Sequence, residues 1–85
     1  MSEITIVDFY ASWCGQCKKI APIIQELTKE YKVLSIDAEE DKESVEKYSV
    51  VTLPTILILK DDKESARLTG LVSKKMIIDK IEALK

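Results

Sequence analysis

The segment ASWCGQCKKIAP, residues 11–22, holds the only two cysteines of the chain, Cys14 and Cys17, three positions apart between Trp13 and the pair Lys18–Lys19. A close pair of thiols suits a metal clip, a structural crosslink or a redox-active dithiol. A closed zinc site takes four Cys or His ligands. With no histidine in the chain, carboxylates or a second subunit would have to complete it, so no metal and no other cofactor is expected. A crosslink closing a ring of four residues removes roughly 2 kcal/mol of denatured-state entropy before strain is subtracted, which constrains almost nothing. Two core cysteines would want apolar neighbours, not Gly15, Gln16, Lys18 and Lys19.

The redox reading accounts for the placement. Cys14 follows a strand and loop and opens a helix, where unpaired backbone N–H groups and the helix dipole stabilise an anion. Lys18 and Lys19 add positive charge, and a lowered thiol pKa turns cysteine into a nucleophile near neutral pH. Residues three apart on a helix are neighbours, so Cys17 can reach Cys14 and bond to it.

The elements that must position this pair follow from apolar spacing. EITIVDFY, residues 3–10, is apolar on both alternating sets, the pattern of a strand covered on both faces; Asp8 is the anomaly, sharing a face with Ile4 and Ile6. Ile20, Ile24, Leu27 and Tyr31 recur at helical spacing and predict a helix from about Cys14 to Tyr31, bent at Pro22. VLSID, 33–37, is a short strand, and Asp41 caps a brief helix through Tyr48. TILILK, 55–60, the turn Asp61-Asp62-Lys63 and an edge strand to about Thr69 read as a hairpin. After Gly70, Ser73 caps a terminal helix with Met76, Ile77, Ile81 and Leu84 on its apolar face. The order β-α-β-α-β-β-α predicts an α/β fold: a four-stranded mixed sheet in a three-layer α/β/α sandwich.

Composition narrows the function classes. The 85 residues fit one domain, residues 1–85, and 46% apolar with 33% charged residues is a globular profile. A net charge of -2, with no Lys/Arg run longer than two, argues against nucleic acid as a partner. The longest apolar-rich run, residues 50–59, is too short for a membrane helix. MSEITIVDFY has neither a positive n-region nor an uninterrupted apolar stretch, so the expected location is cytoplasmic.

The string VDFYASWCGQCKKIAPI, TLPT at 52–55 and Gly70, in this order, resemble the landmarks of the thioredoxin family across essentially the whole chain. A lone CxxC is weak; WCGxC after a VDF strand, a proline five residues beyond the second cysteine and a TxPT-like turn leading into a strand are specific together. The resemblance implies that Cys14 is the exposed thiolate that attacks a partner's disulfide and that Cys17 resolves the mixed disulfide. It makes Asp8 the buried carboxyl that exchanges a proton with Cys17, and Pro54 a cis-proline beside the dithiol. Trp13, Gly15, Gln16, Leu53, Pro54 and Gly70 become the substrate-binding rim, with Val51, Thr52 and Leu71 beside them. Gly70 would permit close approach of a substrate, or would simply be a turn glycine.

Three departures from the family pattern matter. Gln16 stands where proline is commonest, which bears on redox potential and suggests a reductant of ordinary or somewhat more oxidising character. Val33 takes the position at which many members carry a lysine partner for the buried carboxyl. The leading strand and helix of a full-length thioredoxin are missing, leaving a minimal, glutaredoxin-sized core. The implied activity is thiol-disulfide exchange on protein disulfides by a monomer regenerated by an NADPH-linked thioredoxin reductase. The alternatives are a glutaredoxin-like enzyme recycled by glutathione and a non-catalytic subunit that binds a partner through the same surface.

Overall fold

A computed structural model describes residues 3–85; Met1 and Ser2, part of the N-terminal stretch read for a leader, lie outside it. The elements are β1 (Ile4–Tyr10), α1 (Gly15–Leu27), β2 (Lys32–Asp37), α2 (Lys42–Lys47), β3 (Thr55–Lys60), β4 (Lys63–Thr69) and α3 (Lys74–Ala83). They form one sheet in the order β2-β1-β3-β4. β2 runs parallel to β1, while β3 is antiparallel to both β1 and β4. The expected element order and mixed sheet are both present.

The two doubly apolar segments are the two central strands. On one face Ile6, Ile56 and Ile58 pack against Ile20, Ile24 and Leu27 of α1 and Ile77 and Ile81 of α3. On the other, Val7, Phe9, Leu57 and Leu59 meet Val45 of α2 and Tyr48 at its C-terminal end, together with Val50 and Leu53. Apolar side chains on both faces of β1 and β3 therefore demand a layer on each side, and α1 with α3 and α2 supply them. β2 and β4 are the edges, with mostly exposed or half-exposed residues.

Local chemistry sets the boundaries. Asp41 accepts the Ser44 N–H at 3.0 Å and Ser73 the Met76 N–H at 3.2 Å, so both expected caps are made. Asp61 and Asp62 both have positive φ and lie between the paired Lys60 and Lys63. The turn therefore has two residues rather than the expected three, in the mirror-image conformation that matches strand twist. Helix α1 runs through Pro22 but stops at Leu27 instead of Tyr31. Thr28 turns its hydroxyl back to the Gln25 carbonyl at 2.6 Å, and Tyr31 packs against the core from beyond the helix end. Its apolar spacing reflected burial rather than helix.

Candidate active site

β1 delivers the chain to the end of the sheet at Tyr10, and a tight turn, closed by the Cys14 N–H on the Ala11 carbonyl at 3.1 Å, leads into α1. Cys14 is the N-cap of that helix. Its sulfur occupies the place of a capping side-chain oxygen and accepts the Cys17 N–H at 3.1 Å. The first turn of α1 carries no acidic residue, so no carboxylate of that turn opposes the helix dipole in stabilising negative charge on Cys14 once the bond is opened. Cys14 and Cys17 are joined as a disulfide with Cα atoms 5.3 Å apart; Cys14, expected to be exposed, is in this closed form as buried as Cys17, both packing against Ala11 with Tyr10 and Leu53 beside them.

Asp8 lies two residues before the end of β1 and is 7% exposed. Its Oδ1 has no hydrogen-bond partner among the described residues. Desolvation by burial raises its pKa to about 6. An open cleft of about 400 Å³ runs beside it, and Asp8, Cys17, Ser12, Lys18 and Ser35 all line it. Parallel register sets Val33 opposite Ile6, where it packs against the core; the β2 residue opposite Asp8 is Ser35. Ser35 went unrecognised in the sequence because the β2 side chain that lies opposite the carboxyl is set by register, a property of the strand pair and not of either segment alone.

The remaining candidates gather at the same end of the sheet. Leu53–Pro54 is a cis peptide bond. Pro54 is buried, and its carbonyl accepts the Gly70 N–H at 3.0 Å. Thr55 Oγ1 donates to the Thr52 carbonyl at 2.6 Å. Trp13, 67% exposed, borders a second shallow cleft of about 430 Å³ with Val51, Thr52 and Leu53. Val51 is 94% exposed and Leu71 57%, so both expected rim residues present uncharged apolar surface. Gly15 and Gln16 are exposed in the first turn of α1. Gly70 has φ +78, and a Cβ there would meet nothing within 4 Å. Its left-handed backbone favours glycine, and the space beside it is open.

The thioredoxin family model matches residues 1–83. The chain belongs to the thioredoxin family. Thioredoxin of Staphylococcus aureus is 33% identical, over 95% of this chain and 82% of that protein. Among solved structures, a mutant thioredoxin from Halobacterium salinarum superposes with a TM-score of 0.90 at 29% identity, covering 95% of this chain and 74% of that one. Thioredoxin of Fasciola hepatica gives 0.88 at 35% identity, covering 98% and 82%. The fold expected from the sequence is the thioredoxin fold. Membership and the closed Cys14–Cys17 bond make the chain a thiol-disulfide oxidoreductase. No helix among the described residues is long and apolar enough to cross a membrane, and no three potential acidic, Cys or His ligands cluster among them.

Proposed function

We propose that this thioredoxin-family chain reduces disulfides of proteins, with Cys14 as attacking thiolate and Cys17 as resolving thiol. The observation that supports this most is the capped disulfide itself. Cys14 sits at a helix N-terminus with a backbone N–H on its sulfur, next to exposed Trp13 and beside Leu53, which with Val51 line an apolar cleft that suits an extended, uncharged partner segment. The reduced protein attacks one sulfur of the partner's disulfide, and the other sulfur leaves as a thiolate that takes up a proton. Cys17 then gives its proton to Asp8, attacks the Cys14 sulfur and expels the second partner thiol, leaving the Cys14–Cys17 disulfide. Two electrons pass to the partner in each cycle. An NADPH-linked thioredoxin reductase returns them, and the chain works as a cytoplasmic monomer that needs no metal and no cofactor beyond its own disulfide.

The electron source is tested by following insulin reduction with NADPH plus thioredoxin reductase, and separately with glutathione plus glutathione reductase and NADPH. Turnover with the first system supports the proposal. Turnover only with glutathione selects the glutaredoxin-like alternative, and turnover with neither removes the enzyme reading in favour of a binding subunit.

A further inference from the structure

The rim segment Val50–Pro54 leaves α2 through a serine in an unusual conformation. Ser49 has φ 52 without being glycine. Around it the helix end is closed by two overlapping bonds, Val50 N–H to Val45 carbonyl at 2.9 Å and Ser49 N–H to Glu46 carbonyl at 3.1 Å. The Tyr48 and Ser49 carbonyls take no part in that closure. Arg67 of β4 takes both: Nη2 donates to Tyr48 and Nη1 to Ser49, the latter at 3.3 Å.

The guanidinium is itself held. Nε and Nη2 donate to the two oxygens of Glu64, each at 2.8 Å, a paired geometry that fixes the plane of the fork. Residues three apart on a regular strand face opposite sides. Here the ladder pairs Ile58 with Ala66 but Leu59 with Glu64, so Ser65 is an extra residue that shifts the alternation by one. Glu64 and Arg67 thereby come opposite Leu59 and Leu57, which both face the α2 layer. A bulge, an acid and an arginine thus form one device whose donors end on the carbonyls at the head of the rim segment. The same segment is held further along by Thr55 on Thr52 and by Gly70 on Pro54.

We propose that Arg67 is a positioning residue for polypeptide substrates: by anchoring the chain at Tyr48–Ser49 it fixes the backbone of Val51–Leu53 against which an extended disulfide-bearing segment pairs. A small disulfide that needs only the Cys14 sulfur does not depend on this anchor. The inference rests on the proposed reduction of protein disulfides.

The test uses pre-reduced full chain in single-turnover reactions with insulin and, separately, with 5,5′-dithiobis(2-nitrobenzoate). For Arg67→Met the second-order rate constant should fall about five-fold with insulin and stay within about two-fold with the small disulfide. Arg67→Lys should recover part of the loss, since it keeps the charge but lacks the planar fork whose separate nitrogens reach both carbonyls and Glu64. Glu64→Gln, which keeps the arginine but loosens its hold, should lower the insulin rate about two-fold and decides the matter if Arg67→Met does not fold. Equal losses for both substrates, or an unchanged insulin rate in the variants, would overturn the positioning role. A wild-type protein active on the small disulfide and inert toward insulin would instead defeat the underlying function.

Discussion

Asp8 carries the sharpest energetic conflict in the molecule, a carboxyl 7% exposed with an unpartnered oxygen and no cation among the causes of its shift. Because burial raises its folded pKa from 3.8 to about 6, the folded chain binds the proton more tightly than the unfolded chain. Its contribution is therefore most favourable below the unfolded value and is lost as pH rises through about 6. A shift of this size corresponds to about 3 kcal/mol. Denaturant midpoints should show Asp8→Asn more stable than wild type by about 2 kcal/mol at pH 8 and nearly equal at pH 4. Turnover at pH 7 should meanwhile fall about ten-fold or more, because Cys17 loses its proton acceptor. Asparagine that left turnover intact would place the proton elsewhere. The site residues near Cys14 were legible because their chemistry is local: cysteine spacing, helix start and flanking charge all lie within one short segment. Ser35 and Arg67 were not, since Ser35 comes opposite Asp8 through strand register and Arg67 meets the Tyr48 and Ser49 carbonyls from a distant part of the chain.

At the scale of elements, the site depends on junctions more than on the elements themselves. Gly70 follows β4 with φ +78 and open space where a Cβ would go, so Gly70→Ala pays only conformational strain, about 1 kcal/mol. Gly70→Asn, better suited to left-handed backbone, should lose less; equal losses by thermal unfolding would point to a steric role instead. Asp41→Ala removes both the Ser44 N–H and Ser44 hydroxyl bonds and should lower stability by about 1 kcal/mol. Because α2 is only six residues long, hydrogen exchange should show the loosening concentrated there and in the adjoining rim. The caps and the strand patterns were readable from residue type alone. The end of α1 was not: Tyr31 kept the helical spacing while entering the core from a turn, and periodicity cannot distinguish the two.

Over the whole molecule, the redox bond is confined to one end of the sheet, and the main apolar clusters on the two sheet faces form without it. Reduction should accordingly leave a cooperatively folded chain, destabilised by roughly 2 kcal/mol as befits so short a ring. A broad or multiphasic unfolding transition on reduction would mean that the disulfide organises the core. The layer architecture was legible because β1 and β3 are apolar on both faces, which forces helices onto each side of the sheet. The mixed sheet then followed from chain connectivity, and register needed three dimensions. The central claim, that Cys14 attacks and Cys17 resolves, is tested most directly by incubating Cys14→Ser and Cys17→Ser variants with a disulfide-bearing protein and separating the products without reductant. Cys17→Ser should accumulate a covalent complex, linked through Cys14 and released by dithiothreitol, while Cys14→Ser should give none. A complex formed by Cys14→Ser through Cys17, or by neither variant, would contradict the account.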